Sequence, residues 1–107
     1  MAGPIEIDVE TYAAWRDEKR AHTLLDVREG WEHDTVAIAG DVNIPMSSVP
    51  NRISEISKDQ PVVVMCHHGG RSRQVMQWLR QQGYDAINLE GGIDAWSREI
   101  DSSLPRY

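Results

Sequence analysis

Cys66 is the only cysteine among 107 residues, and it closes the most apolar run of the chain. The stretch reads Pro61-Val-Val-Val-Met-Cys66-His67-His68-Gly69-Gly70-Arg71-Ser72. Cysteine reacts as the thiolate, so a reactive site must stabilise that anion. Three features after Cys66 are suited to this. Gly69 and Gly70 let successive backbone amides turn inward as an anion-binding nest. A helix starting near Arg71 presents its positive end to the same point. Arg71 adds a guanidinium. The same devices bind an oxyanion, so one loop both activates the thiol and holds a small anion. A lone cysteine often serves as an inert core residue, but core packing does not call for Gly-Gly-Arg-Ser after it.

The other polar residues carry weaker signals. His67 and His68 suggest a metal only at first sight. Adjacent residues seldom converge on one ion and no further cluster supplies the rest, so no metal is expected. A loop histidine more readily donates hydrogen bonds to an anion or sits exposed. His22 and His33 are expected at the surface. Asp26 and Arg28 form either a general base with a second anion ligand, or an ion-paired network bracing the loop. For Asp26 the bracing role is favoured, because a preformed thiolate needs no base. Trp15, Trp31, Trp78 and Trp96 are expected in core or rim packing rather than a binding cage. Glu6, Asp8 and Glu10 are expected on a solvated face.

These residues need elements to place them. Asp8 is suited to cap a helix running to about residue 18. Strands are expected over 23–27, weakly over 41–44, over 61–65 and over 84–89. A helical turn is expected over 31–36 and a helix over 48–56, the latter with Pro50 in its first turn. A helix is expected over 71–82, capped by Gly83, and another over 93–100 after the Gly91-Gly92 turn. The continuous run 61–65 suits a central parallel strand covered on both faces. The alternation indicates an α/β domain with a mostly parallel sheet. Ligands of such sheets collect at the carboxyl ends of the strands. The loops at 26–29, 66–72 and 90–92 then share one edge, with Cys66 at its centre.

Composition bounds the rest. The length suits one domain over 1–107, with a core at about 5–100. One cysteine excludes an internal disulfide, a resolving cysteine and a cysteine-rich zinc site. Eleven basic against 17 acidic side chains give a net charge of −6, which argues against nucleic acid or anionic membrane as partner. The N-terminal stretch lacks a basic segment followed by an apolar run, and no segment is long enough to span a bilayer. A cytoplasmic protein is expected.

Four segments, taken in order, resemble the single-domain form of the rhodanese (sulfurtransferase) family. They are Leu24-Leu-Asp-Val-Arg-Glu29 with Trp31-Glu32, then Gly40-Asp-Val-Asn-Ile-Pro45, then the loop from Cys66 to Ser72, then Leu89-Glu-Gly-Gly-Ile-Asp-Ala-Trp96. One departure is visible: Val36-Ala-Ile-Ala-Gly40 replaces a segment in which relatives commonly carry a histidine. The resemblance implies a rhodanese-like, five-stranded, mostly parallel sheet with helices on both faces. It implies that Cys66 is a nucleophile carrying a persulfide. The loop His67, His68, Gly69, Gly70, Arg71 and Ser72 would bind the substrate, supported by Asp26 and Arg28. The activity implied moves a sulfane sulfur from thiosulfate or a related small anionic donor to cyanide or a thiol acceptor, including a sulfur-carrier protein. No cofactor is required.

Spacing separates this from a neighbouring chemistry. Cysteine phosphatases of related architecture use Cys-x5-Arg, whereas Arg71 makes this loop Cys-x4-Arg. The shorter loop suits a sulfur atom better than a tetrahedral phosphoryl group. A phosphatase or arsenate-reductase-like enzyme is the alternative enzyme reading. A non-enzymatic persulfide carrier or partner-binding module is the other.

Overall fold

The computed structural model describes residues 5–107. Residues 1–4, part of the N-terminal stretch considered above for a leader, lie outside the described residues. The order of elements is β1 (Glu6–Ile7), α1 (Val9–Asp17), β2 (Thr23–Asp26), α2 (Gly30–Thr35), β3 (Val42–Asn43), two 3-10 turns (Met46–Ser48 and Pro50–Glu55), β4 (Val62–Met65), α3 (Gly70–Gln81), β5 (Ala86–Leu89) and α4 (Gly92–Glu99). The five strands form one sheet in the order β1-β5-β4-β2-β3, and every pairing is parallel. β4 lies at the centre, so both of its edges are hydrogen-bonded.

Strand alternation explains why the run before Cys66 is apolar throughout. Val63 and Met65 pack with Tyr12, Trp15, Ile93 and Trp96 on the face covered by α1 and α4. Val62, Val64 and Cys66 pack with Val75, Met76 and Leu79 of α3 on the other. Cys66 is thus delivered to the α3 side by the period of two.

Local chemistry sets the helix ends. Asp8 caps α1 by accepting the Thr11 N–H at 2.8 Å. Gly83 follows α3 with φ of +91°, the left-handed position expected after a helix. Segment 48–56 differs from the expected single helix. It is two 3-10 turns, with Arg52 leaving helical geometry at φ −117° and ψ 18°. Pro50 fits the start of the second turn but supplies no N–H to join it to the first. β1 was not foreseen: it is only two residues long and pairs with β5.

Candidate functional site

Cys66 follows the last residue of β4, and only 1% of it is exposed. Its Sγ accepts the Gly69 N–H at 3.0 Å and lies 3.3 Å from the Ser72 hydroxyl. Ser72 also approaches Asn88 Oδ1 at 2.5 Å. A serine hydroxyl has one proton, so it cannot donate to both. With Cys66 as a thiol, Ser72 donates to Asn88 and can accept the S–H. With Cys66 as a thiolate, rotating that proton gives the sulfur a second donor beside Gly69. Ser72 therefore serves the sulfur or Asn88 with its proton, one at a time.

The loop owes its shape to two glycines. Gly69 sits at φ +108° before α3, and a Cβ there would meet Gly91 N at 3.4 Å and Leu89 O at 3.6 Å. Gly92 opens α4 at φ +59°, and a Cβ there would stand 2.4 Å from Cys66 O. This close approach lets the Ile93 N–H reach Cys66 O at 3.0 Å and the Asp94 N–H reach His67 O at 3.1 Å. The first turn of α4 thus ties down the two loop carbonyls. Asn88 completes the support by donating to Gly69 O at 3.2 Å and to Glu6 Oε2 at 2.8 Å. Glu6 also receives Arg73 at 2.7 Å, so it braces the loop's foundation instead of lying on a merely solvated face.

Arg71 differs from expectation. Both arms of its fork close on Glu32, at 2.6 and 2.9 Å, so its charge is already matched. The Arg71 hydrogen bonds hold the Glu32 carboxyl down at about 2, against burial, which raises it. The same pair pushes the Arg71 guanidinium above its ordinary value. Arg71 fastens the loop to α2 and is not a free cation awaiting an anion.

Arg28 is wholly buried, and so is Asp26. Its Nε and one Nη2 proton go to the Asp26 carboxylate, and its other Nη2 proton goes to Val36 O at 2.7 Å. Its Nη1 reaches Glu32 O and Tyr107 Oη, each at 3.2 Å. All five guanidinium protons have acceptors, so no donor remains for a substrate. Asp26 and Arg28 are a bracing pair, and the anion-ligand role for Arg28 is set aside. Asn43 reinforces the same corner by donating to the carbonyls of Asp26 and Arg28, both at 3.0 Å.

The two loop histidines differ. His67 is sandwiched between His68 and Tyr107, with both centroid distances 3.9 Å. Burial, then the neighbouring His68 charge, lowers the His67 value, which favours a neutral ring at pH 7. His68 stands exposed, 3.8 Å from Asp94. His67, His68 and Asp94 are close enough to share an ion. However, the histidine rings are stacked, so their lone pairs do not converge, and Asp94 is engaged by Arg106 at 2.8 Å and Arg98 at 3.1 Å. His33 is not free at the surface: it pairs with Asp41 at 3.1 Å. His22 Nδ1 donates to Arg20 O and its Nε2 pairs with Tyr12 Oη, each at 2.8 Å.

The site therefore unites Cys66, Gly69 and Ser72 at the sulfur, and places His67, His68, Gly70 and Arg71 around them. The rhodanese-like domain family matches residues 8–99, an interval containing all of these residues. The chain belongs to the rhodanese-like domain family. A sulfurtransferase of Allochromatium vinosum is 40% identical over 94 residues, covering 87% of this chain and 88% of that protein. The SSP1007 crystal structure from Staphylococcus saprophyticus superposes with a TM-score of 0.82 at 32% identity, covering 94% of this chain and 98% of that one. A rhodanese-related protein of Thermoplasma volcanium gives 0.80 at 34% identity, covering 89% and 92%. This rhodanese-like domain thus has the expected α/β fold, here with an entirely parallel sheet. Among the described residues, no helix is long and apolar enough to cross a membrane.

Sequence reasoning gave no role to Asn88, Asn43 or Tyr107. Glu32 lay inside a recognised segment, but nothing local marked it as the partner of Arg71. Gly92 was read as part of a turn; its closeness to Cys66 O depends on how α4 meets the loop.

Proposed function

We propose that this protein transfers a sulfane sulfur through a Cys66 persulfide, with thiosulfate or a related small donor as its source. The observation that carries the reading is the Gly69 N–H aimed at Sγ, in a loop whose Cys66 and His67 carbonyls are tied down by α4. With those carbonyls engaged, negative charge at the sulfur meets a donor rather than a lone pair.

The Cys66 thiolate attacks the outer sulfur of thiosulfate. A new S–S bond forms, the donor's S–S bond breaks, and sulfite leaves with the electron pair. The enzyme holds Cys66–S–S⁻. Cyanide then attacks the terminal sulfur, giving thiocyanate and regenerating the thiolate. A thiol acceptor instead leaves as a persulfide. Because Arg71 is committed to Glu32, the sulfite oxygens are met by loop amides and the exposed His68. No metal or organic cofactor takes part. Small donors and a thiol or cyanide acceptor are the partners in this reading, a sulfur-carrier protein among them, and the cytoplasm is its setting.

Phosphoryl transfer is disfavoured by the short Cys-x4-Arg loop and by a guanidinium with both arms on a carboxylate. Intact mass spectrometry tests the proposal. Thiosulfate should add one sulfur atom to the wild type and none to Cys66→Ala, and cyanide should remove it. Aryl-phosphate hydrolysis without persulfide would overturn the reading. Loading only from a partner protein would establish a carrier instead.

A further inference from the structure

The geometry points to Tyr107 as a positioning residue for the Cys66 loop, acting through Glu32 and His67. This rests on the reading of Cys66 as the sulfur carrier. Tyr107 lies outside the interval 8–99 that matches the family, so the match assigns it nothing.

Three contacts converge on this side chain. Its hydroxyl donates to Glu32 Oε2 at 2.6 Å and accepts from the buried Arg28 Nη1 at 3.2 Å. Its ring lies nearly parallel to that of His67, at 10° and 3.9 Å. Trp31, 64% exposed, packs edge-on against the same ring at 6.0 Å. Tyr107 therefore touches the corner after β2, the start of α2 and the residue following Cys66. The segment carrying it is anchored: Arg106 grips Asp94 of α4 at 2.8 and 3.2 Å, and Leu104 packs on the core.

The Glu32 carboxylate shows what Tyr107 contributes. Oε1 receives Arg71 and the Glu29 N–H, and Oε2 receives Arg71 and Tyr107. A carboxylate has about four acceptor sites, and here four donors fill them. Tyr107 and Glu29 thus fix the carboxylate plane, and that plane fixes the Arg71 fork at the close of the loop. Removing the hydroxyl leaves one lone pair of Glu32 unfilled and lets the fork swing. Removing the ring also leaves His67 stacked on His68 alone.

The test compares wild type, Tyr107→Phe, Tyr107→Ala, Glu32→Gln and the Tyr107→Phe/Glu32→Gln double variant. Sulfur loading from thiosulfate is followed by rapid-quench mass spectrometry. The Gly69 amide-proton resonance reports the hydrogen bond to Sγ without any turnover. Tyr107→Phe should lower the saturating loading rate roughly three- to tenfold, the net effect of about one hydrogen bond, and leave half-saturation unchanged. It keeps the aromatic ring, so a shifted Gly69 resonance reports loop geometry. Tyr107→Ala should load more slowly still. In the Glu32→Gln background, Tyr107→Phe should add little, because the two act in series. A merely structural Tyr107 would lower thermal stability and give multiplicative losses in the double variant, and that pattern overturns the proposal. So does a Tyr107→Phe variant with wild-type loading and a wild-type Gly69 resonance. If wild type takes no sulfur while the Gly69 resonance still moves in Tyr107→Phe, the sulfur-carrier reading falls and the positioning role stands.

Discussion

Glu32 shows how a single carboxylate can organise the surroundings of a thiol it does not touch. It is nearly buried, takes both arms of Arg71 and is held down at about 2, chiefly by those hydrogen bonds. The sign of the linkage follows. The folded value lies below the ordinary 4.5, so the stabilisation is fully present above pH 4.5 and is lost as pH falls towards 2. Glu32→Gln cannot ionise and should lack this dependence. At neutral pH its deficit relative to wild type should be about 1–3 kcal/mol, as for a hydrogen bond to a charged partner. Urea titrations between pH 7 and pH 2 should show the gap closing only below pH 4.5. A gap that persists unchanged to pH 2 would contradict the ion pair as its source.

At the scale of elements, the meeting of α4 with the Cys66 loop decides the site. The Cβ that Gly92→Ala adds would strike backbone oxygens of Cys66 and His67, at 2.4 and 2.5 Å, and backbone cannot swing aside as a side chain can. The substitution should cost roughly 2–4 kcal/mol and displace the loop carbonyls. Sulfur loading should fall with it. Gly30→Ala, with nothing within 4 Å of its new methyl, serves as the control and should leave thermal stability nearly unchanged. Equal melting temperatures for both variants would refute the close approach. Elements with a local cause were legible in the sequence: Asp8 capped α1, and the apolar run before Cys66 gave the doubly covered β4. The two-residue β1 was not, since its strand character comes from pairing with β5. Nor did sequence reveal that Arg71 pairs 39 residues away, or that Tyr107 reaches Glu32 across 75. Such contacts depend on strand order, which pattern and propensity do not encode.

Over the whole molecule, one parallel sheet carries two cores, and β4 contributes alternate residues to each. Leu25 and Leu89 are both fully buried, on opposite faces. Leu25→Ala and Leu89→Ala should each cost about 2–5 kcal/mol. Because the faces share a sheet, each variant should unfold in a single transition with the wild-type denaturant slope. A second transition in either variant would show that the faces come apart separately. The same architecture bears on how the loop can change over generations. The carbonyls of Cys66 and His67 are pinned by α4, and Gly70 already belongs to α3. Only His68 and Gly69 remain to absorb an added residue, and Gly69 is held at both its amide and its carbonyl. A step from Cys-x4-Arg to Cys-x5-Arg therefore has to bulge at exposed His68 or lift Gly69 away from Gly91, against which it packs. A single insertion thus unsettles contacts made by a distant segment, so a change of loop length has to cross a valley rather than follow a slope.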